Sequence, residues 1–357
     1  MDELDIALER FHLCAPEYGA GFSSHGPMAA EALLALGHPS LIPALVDIYA
    51  PRLPELADGQ IIDADTRGAA LGDPRRAPDW IATFEADLAA RGADAVLAEW
   101  LRSLLPGAFG AAGHGLIRTA QALRAWSAAP SDPRLRELAH GLGYWAATFQ
   151  PLPGQPGRRP TAGRTPDRVL AELEFTTERE PSATLISEAV RALDRSEHFA
   201  EAVEAVDLDA QPPGEALGET ARTAAALYLA HPELRILYAH AITIPSAMRL
   251  LLPHLEPDLA RLGAGYALQC TAAIHAVYGQ RRAGSGNGAP TDDAEVIELA
   301  EHLPEIRYRA ACSVEEHAIK LAEACLREHT IAPDPVLPLA AADAAIRIGT
   351  SRGGRGG

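Results

Sequence analysis

Apolar residues recur at three- and four-residue intervals through most of the chain, the period of helices buried along one face. Pro27 to Gly37 reads as a short helix, with proline in its first turn and glycine at its end. The same periodicity predicts helices over 39–50, 77–90, 93–105, 115–128 and 132–149. Further ones follow over 165–173, 182–205, 215–230, 234–252, 256–280, 292–302, 313–329 and 336–348. Alternating strand patterns bounded by turns are nearly absent, and Gln60-Ile61-Ile62-Asp63 is too short to count. The expectation is an all-α protein of about 12–15 helices in one large domain. Segments 151–166 and 281–291, rich in Pro, Gly and Arg, interrupt the pattern. They are expected as long loops within a domain spanning 1–349, because candidate site residues fall on both sides of each. The Gly- and Arg-rich tail, 350–357, is expected to be disordered.

Composition narrows the class. The 357 residues are 48% hydrophobic, much of it Ala and Leu, which favours helix and suffices for a sizeable core. A net charge of −17 repels nucleic acid and anionic membrane surfaces. No stretch approaches the roughly 20 uninterrupted apolar residues of a membrane span. The acidic start, Met1-Asp2-Glu3-Leu4-Asp5, is unlike a signal peptide. Cys14, Cys270, Cys312 and Cys325 form no CxxC pair, so a cytoplasmic protein with free thiols is expected. Gly284-Ser285-Gly286-Asn287-Gly288 lacks the strand that a dinucleotide fingerprint requires, and there is no P-loop, HExxH or Gly-x-Ser-x-Gly.

Chemistry enters with the basic residues. Of the 31, only Lys320 is lysine. Where a plain positive charge serves, this chain uses arginine, so a retained lysine suggests a task that needs a neutral amine. The plain alternative is a surface ion pair with Glu316 at i,i+4, worth roughly 0.3–0.5 kcal/mol. His317 is one turn away on the same helix face, which places the two at the rim of the core.

Of the thirteen histidines, His38, His231 and His254 sit at apparent helix ends. His12, His140, His198, His302 and His329 lie in polar or terminal contexts. His240 is flanked by Ile236, Ile244, Ala247 and Leu251 on an apolar face, where an unpaired imidazole is costly. It is either a ligand or a core group bonded to the Ala241 carbonyl, which Pro245 leaves without a helical donor. His25 and His114 each precede a helix and have glycine beside them, where the positive helix end favours neutral imidazole. Singly, each also reads as an ordinary loop histidine. His275 reads as a core group or a supporting neighbour of the site.

At these residues the chain resembles the questin oxidase-like family. The resemblance is carried by His25-Gly26-Pro27-Met28-Ala29 with Ala32-Leu33 and Leu36-Gly37, then Gly113-His114-Gly115-Leu116-Ile117-Arg118. His240-Ala241-Ile242-Thr243 and Glu316-His317-Ala318-Ile319-Lys320 through Cys325 complete it. It implies an all-helical oxygenase whose fungal members open a ring of anthraquinones in polyketide pathways, a Baeyer–Villiger-like step. It also implies non-haem Fe(II) held by His25, His114, His240 and His317, with Lys320 carboxylated as the anionic ligand. Ser24 stands where the family often has Asn, which puts one supporting hydrogen bond in doubt. The ligand chemistry is consistent: imidazoles suit Fe(II), and non-haem iron sites usually include an anionic oxygen.

The leading expectation is therefore an Fe(II)-dependent oxygenase using O2 on a small polycyclic aromatic substrate, with NADPH entering only as an external reductant. Arg118 is expected to bind a phenolate, with a structural ion pair as the alternative. Tyr238, Tyr278, Trp145 and Phe22 are candidate pocket aromatics. A metal-free NADPH-dependent monooxygenase and a helical binding protein with a decayed site remain the competing readings. Oligomeric state is not readable from the chain.

Overall fold

The computed structural model describes residues 2–176, 183–279 and 291–348. Among these the chain forms eighteen α-helices, an all-α fold as the periodicity predicts, with more helices than the 12–15 expected. The only paired strands there are Glu17–Tyr18 and Phe22–Ser23, an antiparallel hairpin of two residues each. Most predicted helices appear within a few residues of their expected bounds. The span 182–205 does not form one helix: Ile186–Ala189 runs into a 3₁₀ turn, and Ser196 then starts Glu197–Glu204 by accepting from the Phe199 N–H. Helices Glu3–Phe11 and Leu303–Cys312 were not expected, and Val336–Asp343 tightens into a π turn over Ala344–Ile348. Segment 151–166 is an ordered loop up to the helix starting at Pro166, whereas most of 281–291 and all of the tail lie outside the described residues.

Four helices build the centre: Gly26–Ala35, His114–Ala128, Arg235–Leu251 and Glu316–Ile331. They pack on one another and are surrounded by the remaining helices. Buried ion pairs tie them together below the site. Arg124 bridges Glu31 and Glu323, Arg327 bonds Glu323 and the Ser246 carbonyl, and Arg249 holds Glu328. Arg124 ties its helix to those of Glu31 and Glu323, and Arg327 and Arg249 tie Glu316–Ile331 to Arg235–Leu251, so the helices' relative positions are fixed by charge as well as by packing.

Residues 232–254 are long and apolar enough by composition to cross a membrane, but 67% of that apolar window is buried inside the fold. The Pro245 within it removes the donor to Ala241, and the hydroxyl of Thr271 supplies the missing bond at 3.0 Å. The freed carbonyl is therefore not the partner of His240.

Candidate metal centre

Three of the four central helices begin at the same place. His25 caps Gly26–Ala35, His114 is the first residue of its helix, and His317 is the second residue of Glu316–Ile331. His240 reaches them from the second turn of Arg235–Leu251. The rings form a closed cluster: His25 lies 4.5 Å from both His114 and His317, centroid to centroid. His240 is 4.9 Å from His114 and 5.7 Å from His317. Residues up to 292 positions apart in sequence, 25 to 317, thus meet in one buried spot.

The backbone leading into this cluster is strained. Ala111, Ala112 and Val314 are the only non-glycine residues with positive φ among the described residues, and such conformations cost about 1–3 kcal/mol each. Ala111 and Ala112, followed by left-handed Gly113, turn the chain so that the Ala111 carbonyl meets His114 Nδ1 at 2.5 Å. Gly115 has no room for a side chain, since a Cβ there would lie 2.5 Å from Trp145 Cα. Val314 turns the chain into Glu315, whose carboxylate caps the next helix through the His317 and Ala318 N–H groups. The other Glu315 oxygen sits 3.1 Å from His317 Nδ1.

These contacts determine tautomers. Carbonyls and carboxylates only accept, so Nδ1 carries the proton in His114, His317 and His240, whose Nδ1 is 2.6 Å from the Ile236 carbonyl. In His114 and His240 the Nε2 atoms are left as bare donors of electron pairs. His114 Nε2 and His240 Nε2 face each other at 3.3 Å. Burial, followed by the neighbouring cationic groups, lowers the pKa of both, that of His240 to about 3. Both rings are therefore neutral at pH 7, and the 3.3 Å approach is a lone-pair contact without a hydrogen between. It matches one edge of a metal's coordination shell, where bonds of about 2.0–2.2 Å place adjacent nitrogens roughly 3.0–3.5 Å apart. Buried His25 Nδ1 has no hydrogen-bond partner, and burial with Lys320 nearby holds its pKa well down. His25, Glu316 and His317 also bring donor atoms within 4.8 Å of one another.

Lys320 is 4% exposed. Its pKa falls from 10.5 to about 8 because burial outweighs the opposing charges of Glu316 and Glu315. Glu316 does act on it, as the i,i+4 spacing implies, but the amine is a core group and not a surface one. Beside the cluster lies a cavity of about 320 Å³. His25, His114, His240, His317 and Glu316 form one wall, and Tyr18, Phe22, Ser23, Leu185, Ile236 and Leu237 form much of the rest. Its size falls at the lower end of the ~300–1,000 Å³ typical of small-molecule pockets. A larger cleft of about 690 Å³ beside Arg10 and Arg136 does not include these groups.

Several expected site residues are not brought here. Arg118 is 3% exposed, and its guanidinium is taken by Glu137 through bonds of 2.6 and 2.9 Å, so it is a structural ion pair and not a phenolate binder. His12 joins that pair at 3.1 Å and packs against His140; both are core groups, not terminal ones. His275 Nδ1 and the Tyr238 hydroxyl share a hydrogen bond of 2.7 Å, and burial lowers the pKa of the ring to about 4. Trp145 donates to the Gly107 carbonyl. Of the four expected aromatics only Phe22 lines the cavity, joined by Tyr18, which the sequence did not single out, and by Glu316, expected only as the ion-pair partner of Lys320.

Comparison with known proteins places these residues in a family. No curated protein matches the chain. The questin oxidase-like family model matches residues 45–325, a stretch that includes His114, His240, His317 and Lys320 and leaves His25 just outside. With four-fifths of its length so matched, the chain belongs to the questin oxidase-like family, and that membership implies an oxygenase acting on a small aromatic substrate and O2.

Proposed function

We propose that this protein is an Fe(II)-dependent oxygenase that oxidises or ring-cleaves a polycyclic hydroxyquinone, holding iron with His25, His114, His240 and His317. The observation that carries this reading is the pair of unprotonated Nε2 atoms facing each other at 3.3 Å. Neutral imidazoles so placed repel unless a cation lies between them. Their Nδ1–H bonds to the Ala111 and Ile236 carbonyls hold both rings in the ligating tautomer. Glu315 does the same for His317 and adds basicity to its ring.

Imidazole ligands bring no charge to compensate a divalent ion, and three helix N-termini converge on the spot, which favours an anion there. Lys320 supplies it as a carbamate. The reaction consumes neutral amine and CO2, forms an N–C bond and releases one proton. A pKa near 8 keeps a useful fraction of the amine neutral at physiological pH. Glu316 is the rival anionic ligand, favoured by its donor distance to His25 and His317. When bound, iron supplies the electrons for O2 reduction and a Lewis-acidic position for a substrate oxygen. The cavity walls contribute the rest: Tyr18 and Phe22, rings 6.1 Å apart, offer faces to a flat aromatic. External NADPH is needed only if the reaction has a monooxygenase outcome.

Metal analysis of protein purified without chelator tests this. We expect iron near one per chain, O2 uptake dependent on a hydroxyanthraquinone, and loss of both in His114→Ala and His240→Ala. Loss in Lys320→Arg with retention in Glu316→Gln assigns the anionic ligand to the carbamate; the reverse assigns it to Glu316. Metal-free protein with full activity would sink the proposal.

A further inference from the structure

The hairpin at the cavity rim carries a second device. Its register sets Glu17 directly opposite Ser23, so the two side chains share one face. Tyr144, from the Asp132–Ala147 helix, places its hydroxyl between them, 2.7 Å from Ser23 Oγ and 3.0 Å from Glu17 Oε1. Tyr144 is buried, Ser23 lines the cavity, and Glu17 is half-buried and lies outside the cavity's lining.

The directions of these bonds follow from the groups. An ionised carboxylate only accepts, so Tyr144 gives its single proton to Glu17. Ser23 must then donate to Tyr144, which leaves the Ser23 oxygen as an acceptor for a hydroxyl in the cavity. We propose that Ser23, Tyr144 and Glu17 form a proton relay that ionises a phenolic hydroxyl of the bound substrate. This rests on the hydroxyquinone reading above but not on the metal.

The step balances without a redox partner. The substrate O–H breaks as its proton bonds to Ser23 Oγ. The Ser23 proton passes to Tyr144 Oη, and the Tyr144 proton passes to Glu17 Oε1. One phenol becomes phenolate, one carboxylate becomes carboxylic acid, and Glu17 returns the proton to solvent. Burial raises the pKa of Glu17, against the lowering effect of the Tyr144 bond, which makes it a stronger base than a free carboxylate. Burial and the Glu17 charge raise the pKa of Tyr144 well above that of a free phenol, so Tyr144 passes the proton as a neutral hydroxyl, giving one as it takes another. A phenol conjugated to a quinone carbonyl is acidified enough for this transfer. The phenolate it yields is the more electron-rich ring for attack on O2.

Anaerobic binding of a hydroxyanthraquinone to metal-stripped protein tests the relay by visible absorption, since the ionised chromophore absorbs at longer wavelength. At a pH below the free phenol's own pKa, the wild-type protein should bind the phenolate. Glu17→Gln, Tyr144→Phe and Ser23→Ala should each bind the neutral form, with the ionised fraction reduced at least ~10-fold. Tyr144→Phe keeps the buried ring and Ser23→Ala keeps the hairpin backbone, so each guards against a folding defect in the other. The same phenolate band in all four proteins overturns the relay. So does a neutral quinone on wild-type protein that nonetheless consumes it once iron is restored. If wild type binds no hydroxyquinone, the substrate class fails and the relay fails with it, while iron content still decides the metal assignment.

Discussion

Lys320→Met should make the metal-free protein more stable while removing its capacity to hold iron. The folded state lowers the Lys320 pKa from 10.5 to about 8, and each tenfold change in proton affinity is worth about 1.36 kcal/mol. The buried ammonium therefore costs folding about 3 kcal/mol, with no solvent screening to discount because the amine lies in the core. The sign follows from linkage. Below pH 8 the amine is charged in both states and the full penalty applies. Between pH 8 and 10.5 the unfolded chain binds the proton and the folded one does not, so wild-type stability rises with pH through that window. Methionine has nearly the same length and no charge. In CO2-free, metal-free buffer, urea denaturation should show the variant about 3 kcal/mol more stable at pH 7, the gap narrowing to about 1.5 kcal/mol at pH 9.5. Using the variant as reference cancels tyrosines and cysteines that titrate over the same range. A variant that is no more stable, or a gap that does not narrow with pH, refutes the reasoning.

Three other substitutions separate structural from functional groups. Arg118→Leu should leave Glu137 as a buried, incompletely paired charge and cost about 3–5 kcal/mol of stability, with iron content per folded chain unchanged; a selective loss of substrate affinity would return Arg118 to the site. Glu315→Gln weakens both the helix cap and the His317 contact, and should lower iron affinity about 10–100-fold by competition with a chelator. Thr271→Val strands the Ala241 carbonyl and should cost about 1–3 kcal/mol. Adding Pro245→Ala restores a backbone donor, so the double variant should recover part of that loss in thermal melts; strict additivity would contradict the account.

The helices were legible because burial along one face imposes a period, and that period is written in the side chains. The errors fall where local chemistry overrides it. Ser196 caps a new helix inside 182–205, a signal that was present but outweighed by continuous apolar spacing. Leu303–Cys312 is largely exposed and charged on its outer face, so it carries little periodicity. The site was half legible. His25, His114, His240 and His317 stand out by their glycine neighbours, apolar surroundings or spacing to Lys320. Glu315 could have been found as an N-cap acid two residues before His317. Arg118 could not have been placed, because its partner Glu137 lies on another helix with no sequence link between them. Neither could the Ser23–Tyr144–Glu17 line, which depends on a two-residue hairpin too short to leave an alternating pattern.

What unites the cluster is control of one ring nitrogen by the other. In His114, His240 and His317 a backbone or capping acceptor receives the Nδ1–H, and for His114 and His317 that acceptor is produced by a local departure from regular structure. Two left-handed alanines aim the Ala111 carbonyl, and a strained Val314 delivers the Glu315 cap. Below His240, Thr271 rather than the imidazole satisfies the carbonyl that Pro245 frees, so His240 keeps its Nδ1 for Ile236 and its Nε2 for the cluster. A fold stabilising only its apo state would gain by relaxing Ala111, Ala112 and Val314 and by replacing Lys320 with an apolar residue. Those unfavourable terms, several kcal/mol together, are concentrated around a single 3.3 Å gap between two lone pairs. In the proposed iron-bound state, a cation would turn that repulsive contact into two bonds and a carbamate would replace the buried ammonium.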